Sequence, residues 1–293
     1  MRITVFTPTY NRGYIIDNLY QSLKRQSFRD FEWIVVDDGS TDDTAEQFQR
    51  YLSEDNGFSI RYVRVENGGK HRAINRGVQM ATGELFFIVD SDDYLIDHSL
   101  ETIDRVERTL SVEEKERFAG VCGLRGYSQD VKVGKTFQGN VLDITSLERS
   151  HYGISGDKAE VFYTEVLRKY PFPQFDNEKF LTECVVWDKI AHDGYKLRFF
   201  NEIVYVCDYL PDGLTAHYDQ LYHNTPKGYG LYISQSVKFG KITGMAKWNE
   251  YLQYYYEFKT RMHFSEIAKN LQVNPVMLYI RLFGMRLFYR LYR

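Results

Sequence analysis

Asp90, Asp92 and Asp93 follow directly on the apolar run Phe86-Phe87-Ile88-Val89, and this junction holds the densest candidate chemistry in the chain. The run comes just after the turn signal Thr82-Gly83-Glu84, so it reads as the central strand of a parallel sheet, covered on both faces. The C-terminal end of such a strand is where an open α/β sheet places its ligand. In extended chain Asp90 and Asp92 point to one side, so their carboxylates converge. Two anions held together at the mouth of an apolar strand repel each other, and a hard divalent cation with oxygen ligands relieves that repulsion. A solvated acidic turn capping the next helix explains an isolated Asp-x-Asp more simply, so its surroundings must decide.

Those surroundings carry groups suited to a nucleoside diphosphate. Asp38 stands where a carboxylate could accept from a base N–H or a ribose hydroxyl, although an Asp before Gly39 is also ordinary turn chemistry. Tyr10 offers a ring for stacking and Arg12 a phosphate partner; both are equally at home in a plain loop. Lys70, His71, Arg72 and Arg76 open a helical pattern, where backbone N–H groups already favour anions. A solvated charged face is the simpler account of that cluster. Gly68-Gly69 permits close backbone approach but matches neither the dinucleotide nor the P-loop glycine spacing.

The elements that must position these groups alternate regularly. Strand patterns cover Arg2 to Thr7, Phe31 to Val36, Ile60 to Val65 and the run into Asp90. Helical patterns lie between them through Leu19 and Leu23, over Asp43 to Leu52 with Ser40 or Thr41 as cap, and over Lys70 to Ala81. Repeated βα units imply a parallel sheet with right-handed crossovers, which brings all four polar strand ends to one edge. After a helix from Asp97 to about Leu110, strands are expected over Phe118 to Tyr127 and Ala159 to Tyr163, with an irregular stretch between them. A helix over Thr164 to Lys169 and strands over Lys196 to Phe200 and Ile203 to Cys207 follow.

In this order the chain resembles a family 2 glycosyltransferase, a nucleotide-sugar-dependent and generally inverting enzyme of the glycosyltransferase A fold. The resemblance rests on T-P-T-Y-N-R at 7–12, V-D-D-G-S-T-D-D-T at 36–44, N-G-G-K-H-R-A-I-N-R-G at 67–77, A-T-G-E at 81–84 and V-D-S-D-D at 89–93. It implies that Pro8, Tyr10 and Asp38 help hold the nucleobase and ribose, with Lys70 or His71 nearby and Asp90 facing the ribose or the metal; with Arg12, Asn67 and Ser91 these make the expected nucleotide site. It also implies Mn²⁺ or Mg²⁺ held by Asp92 as principal ligand with Asp90. Inverting transfer needs a base for the acceptor hydroxyl. Family members commonly present Glu-Asp in the region of Phe180 to Asp188, often with the Asp as base; here the pair is Glu183-Cys184. Glu183 is then the expected base, with Asp188 or Asp176 in reserve. Thr182 is expected to cap the helix that carries it. The Pro211-Asp212-Gly213 turn and the polar run to Lys227 read as a mobile flap over the site, with His217 a further candidate metal ligand.

Composition narrows the class without naming it. A net charge of −3 gives no argument for nucleic acid. Cys122, Cys184 and Cys207 are odd in number and lack metal or disulfide spacing, which points to a reducing compartment. The chain opens on a strand pattern, so no secretory leader is expected, and no stretch is long and apolar enough to span a bilayer. The 24 Tyr and 20 Phe fit sugar-stacking surfaces, a Tyr-rich core or a membrane-facing surface. Beyond Pro226 the pattern is helical. From Pro275 to Arg293 it has no acid, and Arg286, Arg290 and Arg293 fall within about 60° on a helical wheel. Arg281 lands in the apolar arc, so the tail is expected to lie on a membrane surface or to pack on protein, as a dimer partner would allow.

The expected organisation is an α/β glycosyltransferase A domain over 1–215, with a nucleotide half to 110 and an acceptor half after it, then a flap and helical appendage over 216–293. The expected reaction moves a sugar from a nucleotide sugar, a UDP-sugar, to a saccharide or lipid-linked saccharide in the cytoplasm or at the inner face of the membrane. A sugar-phosphate nucleotidyltransferase is the enzymatic alternative, but it would want a Gly-rich, Arg-bearing loop after the first strand. A non-catalytic nucleotide-sugar-binding protein is favoured only by Cys184.

Overall fold

The computed structural model describes residues 1–208, 210, 213 and 218–282. Four βα units come first: β1 (Ile3–Thr9), α1 (Asp17–Lys24), β2 (Phe31–Asp37), α2 (Thr44–Ser53), β3 (Ser59–Arg64), α3 (Lys70–Met80), β4 (Leu85–Ile88) and α4 (Ser99–Glu107). The short α5 (Val112–Lys115) leads to β5 (Phe118–Gly126), β6 (Val141–Ile144), β7 (Lys158–Tyr163), α6 (Thr164–Lys169), α7 (Cys184–His192) and β8 (Lys196–Val206). The eight strands form one sheet in the order β3-β2-β1-β4-β7-β5-β8-β6. β3, β2, β1 and β4 are mutually parallel, and β7 joins β4 antiparallel.

The sheet is therefore mixed, and β4 lies at the seam between its parallel and antiparallel parts. Hydrophobic burial explains the parallel half. Every residue of β1 and β2 is buried, as strands covered by helices on both faces must be. Thr44, Phe48 and Tyr51 recur at helical spacing on the buried face of α2. They meet an aromatic layer in which Tyr20 stacks on Tyr51 at 3.8 Å and Trp33 lies 5.3 Å from Phe48. Much of the high tyrosine content is thus core, with Tyr20, Tyr51, Tyr205 and Tyr254 among the largest fully buried side chains.

The structure corrects five local expectations, the first being the Thr182 cap: the cap position of α7 is Glu183, with no side-chain hydrogen bond there. Lys196 to Val206 is one strand, not two, because the interruption at Asn201-Glu202 is absorbed as a register shift against β5. The stretch between β5 and β7 contains β6, which pairs with the far edge of β8. Ser40 and Thr41 do not cap α2. The cap position is Asp43, and Ser40 Oγ accepts instead from the Asn11 N–H at 2.8 Å. The polar run after Pro211 is not flap throughout: α8 (Tyr218–Asn224) is helical, and its Tyr222 packs on Phe180. Tyr209, 211–212 and 214–217, with the 215/216 division, lie outside the described residues.

Beyond α8, α9 (Pro226–Lys238), α10 (Gly244–Phe258), α11 (Phe264–Asn270) and a helix over 275–282 enclose a second core around Ile233, Tyr254, Phe258, Ile267 and Leu278. Tyr232 packs against both cores. The link to the sheet runs through the loop that follows α6. Asn75 of α3 exchanges two hydrogen bonds with the Phe172 backbone, and Arg72 donates to the Phe175 carbonyl at 2.6 Å. Glu178 then accepts from the Lys227 and Gly228 N–H groups at the start of α9, both at 2.8 Å. A carboxylate there offsets the positive end of the helix.

Gly69, the residue before α3, makes this docking possible. It has φ 98° and ψ 155°, a region essentially restricted to glycine. A Cβ there would also lie 1.8 Å from the Lys179 carbonyl oxygen. Gly153 has φ 70° but open space where a Cβ would go. Gly153→Ala should therefore cost only the backbone term, about 1 kcal/mol. Gly69→Ala adds overpacking and should cost about 3 kcal/mol or more. Urea-unfolding midpoints of the two variants test the difference; equal costs would show that the approach to Lys179 is not needed for stability.

Candidate active site

The carboxylates at the end of β4 are held by elements far away in sequence. After Val89 the chain leaves β4 and crosses the sheet edge to β8, where Tyr94 and Val206 form an antiparallel bridge with N–H···O distances of 3.1 and 2.8 Å. Tyr205 fixes the crossing. Its hydroxyl accepts from the Asp90 N–H at 2.9 Å and donates to Asp93 Oδ2 at 2.5 Å, while the Asp208 N–H donates to Asp93 Oδ1 at 2.9 Å. Asp93 is thus turned inward, and burial, then the nearby Asp90 charge, push its carboxyl up to about 7. Asp90 and Asp92 are left partly exposed.

A cation already sits among them. Lys70, the first residue of α3, places Nζ 2.7 Å from Asp90 Oδ1 and 2.9 Å from Glu183 Oε1. Glu183 is the residue before α7, so one ammonium joins the ends of β4, α3 and the loop into α7. Arg125 of β5 reaches the other Asp90 oxygen at 3.8 Å while its guanidinium stacks on Tyr205 at 4.1 Å. Burial alone would raise the Asp90 carboxyl, but Lys70 and Arg125 hold it below its ordinary value. Asp92 goes the other way, raised first by burial and then by the Asp90 charge.

This pattern tests the fit to a divalent cation. Among the described residues no three His, Cys, Asp or Glu side chains form a metal cage. Asp90 and Asp92 offer two carboxylates, and the Asp92 carboxyl is raised by burial first and by the Asp90 charge second. That set suits an ion that arrives with phosphate oxygens and keeps water ligands, the usual mode for Mg²⁺ with substrate phosphates. The Lys70 ammonium shows that the place next to Asp90 accepts positive charge. His217, the third expected ligand, lies outside the described residues.

The expected nucleotide residues cluster at the same edge. Pro8 is in buried β1, Tyr10 is 47% exposed, and Arg12 lies along Tyr14 with its charge felt at Asp92. Asp38 is committed to structure: its two oxygens accept from the Gly68 and Gly69 N–H groups, each at 2.7 Å, and Asn67 Nδ2 donates to its carbonyl at 2.8 Å. Asn67 Nδ2 also donates to Oδ2 at 3.2 Å, so Oδ1, with one donor, keeps a lone pair for a ligand. Ser91 is buried between the two acids.

The basic cluster on α3 divides sharply. Lys70 alone delivers charge to the acids. Arg72 is spent on the Phe175 carbonyl, and Arg76 is exposed on the helix surface. His71 is 2% exposed with Nδ1 lacking a partner, and burial, then Arg72, lower its imidazole to about 4. It is neutral at physiological pH. The reserve bases also separate from the site: Asp188 is buried against Lys241 at 2.6 Å, and Asp176 is exposed on its loop. Arg125 and Tyr205 escaped the sequence reading, since nothing local in β5 or β8 says that either strand end meets the β4 turn.

A sequence model for glycosyl transferase family 2 matches residues 4–165 of this chain. The chain is 37% identical over 102 residues to glycosyltransferase GlyG of Streptococcus pneumoniae, covering 34% of this chain and 33% of that protein. It is 28% identical over 194 residues to the GalNAc(5)-diNAcBac-PP-undecaprenol β-1,3-glucosyltransferase of Campylobacter jejuni, covering 64% of this chain and 58% of that one. The matches thus span about a third to three-fifths of those relatives. Among solved structures, S. aureus TarS 1-349 in complex with UDP superposes with a TM-score of 0.59 at 20% identity, over 92% of this chain and 78% of that one. The mannosyltransferase PcManGT of Pyrobaculum calidifontis, in complex with GDP-Man and Mn²⁺, superposes with a TM-score of 0.55 at 20% identity, over 92% and 74%. At that identity the likeness is one of fold.

The buried neutral His71 makes stability depend on pH. The unfolded chain binds a proton at His71 near pH 6.5 and the folded chain only near 4. The stability contribution is therefore full above pH 6.5 and is lost as pH falls toward 4. Between pH 7.5 and 5, wild type should lose about 2 kcal/mol more than His71→Gln in urea unfolding. Parallel losses in the two proteins would show that His71 is not held neutral.

Proposed function

The chain belongs to glycosyl transferase family 2 and carries the glycosyltransferase A fold, and from this premise we propose that it transfers a sugar, with inversion, from a UDP-sugar to a hydroxyl of a saccharide or lipid-linked saccharide. The observation that carries the proposal is the convergence of Asp90, Lys70 and Glu183 at the C-terminal edge of the sheet. It joins an acidic pair suited to a diphosphate-bound cation with a carboxylate suited to deprotonating an acceptor. We read residues 1–215 as the catalytic unit and 216–293 as its flap and helical appendage.

In this reading the nucleotide lies over the ends of β1, β2 and α3. The exposed Tyr10 ring stacks the base, and the turn that Asp38 clamps against Gly68 and Gly69 shapes the floor beneath the ribose. Asp92 and Asp90 would hold Mn²⁺ or Mg²⁺, with His217 as a candidate third ligand. Such an ion, when bound, supplies Lewis-acid neutralisation of charge on the departing diphosphate. Lys70 adds a second positive charge at the same group. Glu183 takes the proton of the acceptor hydroxyl, which attacks the sugar from the face opposite the leaving group. Asp188 is unsuited to that task because Lys241 engages it.

A lipid-linked acceptor is supported by the surface of the C-terminal unit. No described helix is long and apolar enough to cross a membrane, yet Val276, Met277, Tyr279 and Ile280 of the helix over 275–282 are each more than half exposed. Leu278 and Leu282 on the same helix are buried in the second core, and Arg281 lies over Trp248 at 5.3 Å. We propose that this face, with the arginine-bearing residues 283–293 beyond the described part, rests on an anionic bilayer.

Glu183→Gln should retain UDP binding and lose about 10²- to 10⁴-fold in kcat, measured with a donor chosen by thermal-shift screening of nucleotide sugars with Mn²⁺. Turnover at the parent rate would sink the base assignment. Truncation before 275 would open the second core, so the membrane face is better tested by substitution. Met277→Glu combined with Ile280→Glu should reduce co-sedimentation with anionic liposomes at least several-fold at unchanged thermal stability. Unaltered sedimentation would remove the membrane contact.

A further inference from the structure

Lys70 makes two contacts that a simple phosphate-binding lysine would not need. Its ammonium lies 2.7 Å from Asp90 and 2.9 Å from Glu183, and all three side chains are only about a quarter exposed, at 23, 24 and 29%. Resting on the functional reading above, we propose that Lys70 is an exchange latch: in the free protein it pairs with the metal-binding acid and the proton acceptor at once, and arrival of the donor's diphosphate draws it away from both.

An ammonium bonded to a carboxylate oxygen fills one of its lone-pair sites and stands where a hydroxyl donating to that oxygen would have to come. Glu183 held by Lys70 is therefore restrained, and Asp90 held by Lys70 must give up that partner before a divalent cation can take the same oxygen. Two cations repel each other at such short range, so Lys70 would have to leave Asp90 if Asp90 and Asp92 were to hold a divalent ion. A diphosphate arriving with the ion offers the ammonium new oxygens, and Lys70 transfers to it. Metal site and base are then released in one event, with the donor bound.

The neighbouring cations are tied down and cannot take this part. Arg72 is bonded to the Phe175 carbonyl. Arg125 is stacked on Tyr205 and donates to the Lys158 carbonyl at 2.9 Å. His71 is buried and neutral. Lys70 is a point charge on a four-carbon stem, with rotatable donors suited to changing partners.

The exchange predicts opposite effects on two ligands, which a purely structural role would not produce. In calorimetric titrations of the full chain, Lys70→Gln should bind Mn²⁺ alone at least threefold more tightly than wild type, because Asp90 has lost its resident competitor. The same variant, with saturating Mn²⁺, should bind UDP at least tenfold more weakly. Lys70→Arg should recover UDP binding to within a few-fold and return Mn²⁺ affinity toward wild type. Lys70→Met, which keeps the apolar stem, replaces Lys70→Gln should the latter fail to fold by circular dichroism. Mn²⁺ affinity that is unchanged or weakened in the neutral variant overturns the latch, as does unchanged UDP affinity. A wild-type chain that binds neither UDP nor Mn²⁺ overturns instead the reading of the site on which the latch rests.

Discussion

Acids crowded at the end of a short apolar strand set the terms for the structure around them. Asp90, Asp92 and Asp93 lie on successive or near-successive residues beside a buried sheet, where charge is expensive unless it is paired. Each is treated differently. Asp93 is turned inward and bonded to Tyr205 and the Asp208 backbone, where it need not be ionised. Asp90 is paired with Lys70 and Arg125 and stays ionised. Asp92, also partly exposed, is contacted by neither Lys70 nor Arg125 in any ion pair among the described residues, so of the two acids facing the site it keeps the less compensated charge.

That division needs residues from both halves of the sheet. Tyr205 and Arg125 come from β8 and β5, beyond the antiparallel β7, whereas Lys70 comes from α3 on the parallel side. The mixed sheet is thus more than a scaffold: its seam lets a nucleotide-type edge and an acceptor-type edge meet over one turn. α3 is the mechanical link. Its first residue reaches the acids, and its next turn, through Arg72 and Asn75, fastens the loop that presents Glu183. Glu178 on that loop then anchors α9, so the helical unit that carries the exposed apolar face is coupled by hydrogen bonds to the loop bearing the proposed base.

The βα half was legible because local and tertiary signals agree there. Apolar runs end in turn residues at each strand, and the parallel arrangement brings those ends together whatever the loops do. Lys70, Asp90 and Glu183 were each visible as candidates, but their sharing of one ammonium was not, since it depends on how the loop after α6 docks. β6 has only four residues and no flanking pattern of its own; it exists because the edge of β8 is there to pair with it. α8 was hidden by its polar surface, and packing of Tyr222 against Phe180 and Tyr229 stabilises it. The cationic character of His71 and Arg72 was misread for one reason: sequence reports charge type, whereas burial and carbonyl contacts decide how much charge reaches a ligand.

The Glu183-Cys184 pair shows how far the local environment constrains the chemistry. Where the resemblance leads one to expect an acid, burial, with Asp188 adding to it, raises the Cys184 thiol, so the sulfur is protonated and uncharged at neutral pH. Asp188, one turn further along α7, is buried and joined to Lys241 from the segment after α9. Negative charge at the start of α7 is therefore concentrated on Glu183, beside the orphan N–H groups of the helix, which favour an anion there. The cation whose charge is felt at Cys184 is Lys241, which Asp188 already engages, so an acid at 184 would have added a second buried negative charge beside Asp188. With cysteine there, the start of α7 offers a single carboxylate to the site, Glu183, which shares the Lys70 ammonium with Asp90.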